Sequence, residues 1–537
     1  MKENRTNRDR LLFWIGLGTF LLTAGITLLY ITVLARGEFH GDCTDTLMWA
    51  AASYDSGRVY DPTFTYACFL PFGVNLFMMP LIGLFGVSMT THVIGMTCFF
   101  LLFTGSFLMM LREMGWRWSS AFFAASGLLV LTLSSEKLRE IFWGHAIYYS
   151  LGVLFLFIGL WLYLRFCRLW ERRGEKEGRI HLILTGVCFF LFTLLCSTDG
   201  ISALSIFALP LMGAVLAEGL LSAPTLLSRD LGRTALKLLG IGAAVIAGIK
   251  LNGLWVGDMV AGYQEAYSTW SDMSNWVPHL QKLPVAWLEL FGVQNITGPL
   301  ASGESAVNLL RMLAAVLLAV LPVAATLCYK KLETRGERLW IWIHWAGTAI
   351  ITVGYVCGQL SAANWRLTPV LATGCVVSIL FLRRFLSRNR LALLTLLALL
   401  PVALINLAGV AKMPLDGYKD NVLYQLESEL EMRDLTYGYA TFWRANPITV
   451  ISGEKVRVRD VTVSDGGRVD ARAYQSSSRW YEDQPGVDRY FLLLDPREFD
   501  HLNDHDSPLL TEATEQIWLT LPEESLYCIL VFDHNIF

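Results

Sequence analysis

Long apolar stretches separated by short polar segments run through most of the chain. A bilayer core of about 30 Å needs about 20 helical residues, so apolar stretches near that length are candidate membrane spans. Twelve stretches of 16 or more residues qualify: 11–34, 66–86, 89–111, 118–135, 146–164, 180–198, 201–221, 235–255, 307–328, 339–360, 367–382 and 391–411. The pattern predicts a mainly α-helical, polytopic membrane protein.

Basic residues between these stretches predict the topology. With eleven crossings, 23 Lys and Arg residues face the cytoplasm and 6 lie in outer loops, whereas twelve crossings would export most of them. The stretch 66–86, which carries Pro71 and Pro80, is therefore interpreted as a re-entrant or juxtamembrane helix pair. We expect a multi-pass protein of the plasma membrane, with a cytoplasmic N-terminus and an extracytoplasmic C-terminal domain.

The pattern changes after residue 411. Tyr418–Leu435 has roughly helical apolar spacing, and strand-like runs follow, separated by turn sequences. The predicted strands are Thr449–Ser452, Lys455–Val463, Arg489–Asp495, Gln516–Leu521 and Leu526–Phe532. We therefore predict two domains: a transmembrane domain, 1–411, with large outer loops at 35–88 and 256–306, and a small α+β domain, 412–537.

Composition and charge agree with this division. The 537 residues are 54% hydrophobic and 17% charged, and the mean hydropathy is +0.46. Residues 1–411 carry 31 Lys and Arg against 23 Asp and Glu, whereas residues 412–537 carry 12 against 23. No segment combines dense positive charge with exposure away from a membrane boundary, which excludes a nucleic-acid binder, and the apolar content excludes a soluble enzyme.

Ionisable residues at the predicted outer rim are candidates for function, because charges at a membrane bundle are costly. They are Asp42, Asp45 and Arg58 in the first outer loop, then His145, Asp199 and Arg366. Each has a structural alternative. Asp45 can be the N-cap of a helix over Thr46–Ser56, His145 can be a hydrogen-bonded packing residue, and Arg366 can reach lipid headgroups without selecting a substrate.

The order of these features resembles the GT-C superfamily of membrane glycosyltransferases. Acidic residues Asp42 and Asp45 follow the first span, then come the run Thr46–Gly57, Pro80 and LIGLFGVS at 81–88. NWRLTP at 364–369 is similar to a late outer-rim Arg of that family, and the tail from Lys412 is similar to its outer domains. The tail also resembles uncharacterised bacterial members, with YGYATFWRANPIT at 437–449.

The resemblance implies transfer of a sugar from a polyprenyl-phosphate-linked donor at the outer face of the membrane, by a hexosyl- or pentosyltransferase. Asp45 is then the general base, with Asp42 as its rival. Arg366 would bind the lipid phosphate, because a guanidinium can hold two phosphate oxygens. Asp199 would line the acceptor side, and His145 and Arg58 would contact substrate.

Two other classes stay open: a lipid or glycan transporter or flippase, and a non-catalytic scaffold whose outer domain binds a partner. The implied partners are the lipid-linked donor, membrane lipids and a glycan, lipid or protein acceptor. No cofactor is identified, and the sequence leaves the need for a divalent metal open. His501, Asp504, His505 and Asp506 have loop composition, which favours a turn over a metal site.

Overall fold

The computed structural model describes two compact units. It covers residues 2–172, 178–222, 225, 228–262, 268–359, 363–386, 390–522 and 525–537. The first unit comprises Met1–Tyr30, Phe99–Leu254 and Tyr267–Lys412. The second comprises Ile31–Cys98, Trp255–Ala266 and Met413–Phe537.

Membrane-length helices make up most of the first unit. Ten helices among the described residues are long and apolar enough to cross a bilayer. They are Asn7–Arg36, Met89–Glu113, Tyr148–Glu171, Arg179–Ser197, Ile201–Ser222, Arg229–Val256, Gly303–Leu327, Arg335–Cys357, Asn364–Phe385 and Ala392–Ala411. The predicted fold class, a polytopic helical membrane protein with a small α+β C-terminal part, is confirmed.

The predicted span 118–135 differs from the structure. Its helix, Trp118–Thr132, has 15 residues, and the chain then bends by 119° into the helical segment Glu136–Gly144. The count of membrane helices rises to eleven if this bent pair forms one span. The stretch 66–86 folds as two helices of 7 residues each, Pro71–Phe77 and Met79–Phe85, and each is too short to cross a bilayer.

Aromatic packing holds the first unit together. Trp143 is fully buried, and its ring lies 5.5 to 6.3 Å from the rings of Phe99, Phe100 and Phe103. Its indole N–H donates to Thr132 Oγ1 at 2.9 Å, which satisfies the polar end of a side chain in an apolar core. The helix Trp276–Leu290 also belongs to this unit and lies in the predicted outer loop 256–306.

The second unit combines the first outer loop with the C-terminal tail. The loop contributes the helix Asp45–Ser56 and the two helices of 7 residues. The tail segment of this unit begins at Met413, and the loop 35–88 belongs to the same compact unit as the tail. The predicted division into two domains stays a prediction.

A mixed six-stranded sheet forms the centre of the tail. The strands of the unit, in chain order, are β1 Phe64–Thr65, β2 Tyr437–Thr441, β3 Arg457–Val463, β4 Val469–Ala471, β5 Ser476–Ser477, β6 Tyr490–Leu494, β7 Glu515–Thr520 and β8 Leu526–Phe532. The sheet order is β4-β3-β2-β6-β8-β7, with β2 parallel to β3 and β6 and the other pairs antiparallel. Alternate residues of the central strands enter separate clusters on its two faces, including Phe491 and Leu493 on one face and Leu492 and Leu494 on the other.

Several predicted elements of the tail are confirmed, one strand is wrong and one turn is present in part. The amphipathic helix is Val422–Met432, and four of the predicted strands are present as β3, β6, β7 and β8. Thr449–Ser452 is not a strand, because the helix Ala445–Ile451 makes the crossover that the parallel neighbours β2 and β3 require. The predicted turn at 501–506 is present only at 505–506, because residues 501–504 complete the helix Pro496–Asp504, whose start is fixed by a capping box between Asp495 and Glu498.

Candidate functional site

Asp45 occupies the first turn of the helix that follows the first outer segment. A 3₁₀ turn, Gly41–Thr44, leads directly into the helix Asp45–Ser56, so Asp42 and Asp45 lie on consecutive turns. Thr44 is the N-cap residue and its side chain makes no capping hydrogen bond, so Asp45 is not the predicted N-cap. A carboxylate in the first helical turn is favoured by the helix dipole.

The Asp45 side chain is buried and lacks a full set of hydrogen bonds. The residue is 4% exposed, and its Oδ1 atom has no hydrogen-bond partner among the described residues. Burial raises the pKa of Asp45 well above 3.8, and the nearby Asp42 raises it further. His40 and Arg472 oppose that rise with their positive charge. A raised pKa makes the ionised carboxylate more basic, so it accepts a proton more readily, as a general base must.

Arg472 comes from the tail, and aromatic rings fix its guanidinium. The guanidinium carbon lies 4.8 Å from the ring centre of Phe442 and 4.7 Å from that of Tyr474. Its Nη1 atom lies 3.5 Å from Oδ2 of Asp460, whose side chain is fully buried. Burial raises the pKa of Asp460 to about 8, and Arg472 opposes this shift.

Phe442 also touches the turn that carries Asp42. A Cβ atom on Gly41 would lie 2.9 Å from the Phe442 ring, so the close approach requires glycine. The aromatic ring thus contacts the acidic turn on one side and the guanidinium of Arg472 on the other. This contact places the tail's cation near the acidic pair.

Backbone pairing holds this part of the tail on the loop. β1 and β5 pair antiparallel, with Phe64 opposite Ser477. Beside this pair, the Gln475 N–H donates to the Thr65 carbonyl and the Ser478 N–H donates to the Thr63 carbonyl, both at 2.8 Å. The residues that follow Arg472 are therefore anchored to the loop that carries Asp45.

A second anchor joins the beginning of the tail to the beginning of the loop. The amide nitrogen of Asn421 donates to the carbonyl oxygens of Arg36, Gly37 and Phe39 at 3.0 to 3.3 Å. Its amide oxygen accepts from the Leu423 N–H and caps the helix Val422–Met432. One side chain therefore fixes both the loop and the first helix of the tail.

The other predicted site residues are distributed as follows. Arg58 is exposed just beyond the C-terminal end of the helix Asp45–Ser56, about 16 Å of helix away from Asp45. Asp199, His145 and Arg366 belong to the first unit. The predicted meeting of these three residues with Asp45 stays a prediction.

Asp199 and His145 are both buried in the first unit. Asp199 is 2% exposed, and its backbone N–H donates to the Cys196 carbonyl where the helix Gly178–Ser197 ends. His145 is 4% exposed, and its Nε2 atom lies 3.7 Å from Oε1 of Glu140. The neighbouring carboxylate fits the predicted alternative that His145 is a packing residue with a polar partner.

Arg366 lies in a short 3₁₀ helix, Asn364–Leu367, directly before the helix Thr368–Phe385. Its Nη1 atom donates to the Gly354 carbonyl at 2.8 Å, and the residue is only half-buried. The hydrogen bond fixes one side of the guanidinium. Since a guanidinium carries five donors, others are available for an anion.

Sequence reasoning missed His40, Arg472 and Asp460. His40 lies two residues before Asp42, so its proximity to the acidic pair could have been inferred from the sequence. Arg472 and Asp460 carry no such signal, because the β1–β5 pairing anchors the segment after Arg472 to the loop and the sheet strand β3 carries Asp460. Among the described residues, no group of three or more His, Cys, Asp or Glu side chains is arranged to hold a metal ion.

Comparison with known proteins gives one structural likeness of interest. No protein-family model and no curated protein matches the sequence. Among solved structures, the chain is similar to the oligosaccharyltransferase of Archaeoglobus fulgidus, crystallised with a tethered acceptor peptide containing an NVT sequon. The identity is 12% and the TM-score 0.46, over 96% of this chain and 74% of the archaeal one.

Proposed function

We propose that this protein is a membrane glycosyltransferase that moves a sugar from a polyprenyl-phosphate-linked donor to an acceptor at the outer face of the membrane. The observation that carries the proposal is Asp45. It is a buried carboxyl group, one oxygen of which has no hydrogen-bond partner in the described part of the chain, and it lies beside a second acid directly after the first membrane helix. The GT-C resemblance implies a catalytic aspartate, acting as general base, at this place in the chain.

The chemistry assigns each group one task. As the acceptor hydroxyl oxygen bonds to the anomeric carbon, its proton passes to Asp45, and the bond from that carbon to the phosphate oxygen breaks. Polyprenyl phosphate leaves with the bonding electrons and one more negative charge. A positioned base of this kind contributes about 10² to 10⁴ in rate.

Arg472 and His40 adjust the base in this proposal. Their charges favour the ionised form of Asp45, whereas burial and Asp42 favour the protonated form. The balance keeps a carboxylate available while leaving it basic enough to accept a proton. We propose Arg366 for the donor phosphate and Asp199 for the acceptor side, as the resemblance implies.

Transfer assays with the purified full chain test the proposal. A panel of radiolabelled polyprenyl-phosphate hexoses and pentoses is supplied with a membrane extract as acceptor, and label transfer and released polyprenyl phosphate are both measured. Asp45→Asn should lower the rate by about two to four decades with at least one donor. Asp55→Asn is the matched control, because Asp55 lies exposed on the same helix.

The pH profile separates a base from a structural residue. Arg472→Gln removes a charge that lowers the pKa of Asp45, so the acidic limb of the rate profile should move to higher pH. Arg472→Lys keeps a positive charge, so the acidic limb should lie closer to that of the parent chain than in Arg472→Gln. Full activity of Asp45→Asn, or equal losses in Asp45→Asn and Asp55→Asn, would contradict the assignment of Asp45 as the base.

A further inference from the structure

The first unit contains a cavity that the proposed activity does not use. It has a volume of about 590 Å³, within the range of about 300 to 1,000 Å³ typical of small-molecule sites. Its walls come from five helices: Tyr148–Glu171, Gly178–Ser197, Leu209–Ser222, Arg229–Val256 and Arg335–Cys357. The basic residues of the lining, Arg233, Lys237 and Arg335, belong to clusters that predict the cytoplasmic side, so we expect the charged end of the cavity at the level of lipid headgroups.

The deeper walls are apolar and leave room for a hydrocarbon chain. Phe166, Phe189 and Ile241 line the cavity together with the glycines Gly186 and Gly240. A Cβ atom added to Gly240 would meet nothing within 4 Å. An apolar space beside membrane helices suits an acyl chain better than a polar metabolite.

The charged side chains at the cavity are mostly paired with one another. Arg335 holds Glu218 with two guanidinium nitrogens, at 2.8 and 2.6 Å. Arg233 lies 3.0 Å from Asp230. Within each pair the positive and negative charges cancel, so neither pair gives the cavity a net charge.

One anion and one cation remain, and they lie on two different helices that line the cavity. Glu171 lies on the helix Tyr148–Glu171, with its side chain 69% exposed and its Oε1 atom 3.8 Å from the already paired Arg335. Lys237 lies on the helix Arg229–Val256 and forms no ion pair within the described ranges. Such an arrangement matches a dipolar headgroup, which carries both signs of charge.

A buried hydroxyl also faces this space. Tyr163 lines the cavity and is 1% exposed, and its hydroxyl has no oxygen or nitrogen partner among the described residues. It contacts the Cys167 thiol, which is only a weak hydrogen-bonding group. A buried hydroxyl normally has a stronger partner, and a phosphate or ester oxygen of a ligand would supply one.

We propose that this cavity binds one phospholipid with a zwitterionic, primary-ammonium headgroup. Glu171 accepts from the ammonium, Lys237 binds the phosphate, and an acyl chain lies between Phe166 and Ile241. An anionic headgroup without an ammonium would leave Glu171 facing negative charge, and a quaternary ammonium has no N–H to donate to it. The site does not depend on the proposed glycosyltransferase activity.

Native mass spectrometry of the purified, delipidated full chain tests the site. Phosphatidylethanolamine, phosphatidylglycerol and phosphatidylcholine with identical acyl chains are titrated separately, and bound lipid is counted. We expect one phosphatidylethanolamine per chain, held at least about fivefold more tightly than the other two lipids, as for one charge-assisted contact. Equal binding of all three, or no bound lipid, would overturn the proposal.

Two glycines on one helix provide a matched pair of variants. Gly240→Leu fills the cavity, and several displaced methylene groups should weaken lipid binding by about tenfold or more. Gly232→Leu lies two turns away, outside the cavity lining, and also meets open space, so binding should be unchanged. Leucine is the better helix former at both positions, so neither change opposes folding. Unchanged binding in Gly240→Leu, or equal losses in both variants, would overturn the site.

The headgroup contact has its own variant. Glu171→Gln keeps the shape but removes the charge, so it should abolish the preference for phosphatidylethanolamine over phosphatidylglycerol. Lys237→Gln should weaken both of these lipids by a similar factor. A preference that survives Glu171→Gln would show that Glu171 does not read the headgroup, and this result would contradict the proposed orientation.

Discussion

Two buried carboxyl groups in the second unit have the same cationic neighbour. Arg472 forms an ion pair with Asp460 and also lowers the pKa of Asp45, although burial still raises the pKa of both acids. One guanidinium cannot fully compensate two carboxylates that are removed from water. Protonation of Asp460 should therefore leave more of the charge of Arg472 available to Asp45.

Asp460 makes stability depend on pH in a defined direction. Its pKa is about 8 in the folded protein against an ordinary value of 3.8, so between these limits the folded state holds a proton that the unfolded state releases. Stability from this group is complete below about pH 4 and is lost as the pH rises through about 8. Asp460→Asn should therefore gain stability relative to the parent chain as the pH rises from 5 to 8, by an amount on the order of 4 kcal/mol.

Thermal unfolding of the purified protein between pH 5 and pH 8 measures this difference. Asp470→Asn is the control, since that carboxylate is 45% exposed and paired with Arg468 on the surface. The difference between Asp460→Asn and the parent should widen with pH, whereas that for Asp470→Asn should stay constant. A constant difference for Asp460→Asn would show that this carboxyl group is ionised in the folded protein.

At the level of single residues, the sequence predicts positions better than surroundings. The pair Asp42 and Asp45 could be located because it directly follows the first span and precedes a helix-like run. The burial of Asp45 could not be predicted, because its charged neighbour Arg472 comes from near the other end of the chain. Arg58 looked equally close in sequence, but a helix of 12 residues separates it from the acids.

Among the secondary-structure elements, the small pairing of β1 with β5 has the largest consequence. Each strand has only 2 residues, yet together with the flanking hydrogen bonds they hold the segment after Arg472 on the first outer loop. Such a short pair is not stable alone. It forms here because both partners belong to one compact unit.

Ser478→Pro is designed to weaken this pairing without disturbing the tail. The change removes the N–H that donates to Thr63, while the first position of the 3₁₀ helix Ser478–Tyr481 tolerates proline. Ser477 has φ −96° and ψ 138°, which is compatible with a following proline. One lost hydrogen bond should speed hydrogen exchange of the amides at 63–65 and 475–477 about fivefold.

Ser478→Ala is the control, because it retains the N–H and removes only the hydroxyl. Exchange at the same amides should then match the parent chain. If Ser478→Pro exchanges no faster than Ser478→Ala, the Ser478 to Thr63 hydrogen bond does not hold the loop. Uniformly faster exchange across the six-stranded sheet would instead indicate damage to the tail itself.

Elements defined by their own residues were predictable, and elements defined by distant partners were not. Apolar length located the membrane helices, since the bilayer sets that length, and the basic residues then excluded the stretch 66–86. The helix Ala445–Ile451 was mistaken for a strand, because its β-branched residues favour strands and only the parallel pairing of β2 and β3 requires a crossover. β1 and β5 are too short for any periodic signal.

On the scale of the whole molecule, the division into units differs from the division along the sequence. Loop 35–88 interrupts the membrane helices in the sequence, yet it forms one compact unit with the tail. A composition change marks the start of the tail near Met413, but nothing in composition shows which earlier loop packs on it. The acid pair and its cation therefore belong to one unit, although they are far apart in the sequence.

The bent pair Trp118–Thr132 and Glu136–Gly144 decides the topology of the molecule, and three engineered cysteines can test it. Three membrane-length helices separate Lys330 from the tail, so Lys330 and Asp465 must face opposite sides. Seven such helices separate the N-terminal segment from Lys330, or eight if the bent pair crosses. Only with eight does the N-terminus share the cytoplasmic side with Lys330, as the distribution of basic residues predicts.

Labelling of intact cells with a membrane-impermeant maleimide distinguishes these cases, with the parent chain and its ten native cysteines as the background. Asp465→Cys, at a side chain that is 92% exposed, should be labelled directly. Lys330→Cys and Asn7→Cys, both at exposed positions, should react only after permeabilisation. Direct labelling of Asn7→Cys together with Asp465→Cys would mean that the bent pair does not cross. Direct labelling of both Asn7→Cys and Lys330→Cys, but not of Asp465→Cys, would place the acid-bearing loop inside the cell, because one membrane helix separates Asn7 from that loop. An outer-face glycosyltransferase would then be excluded, since Asp45 could not meet a donor there.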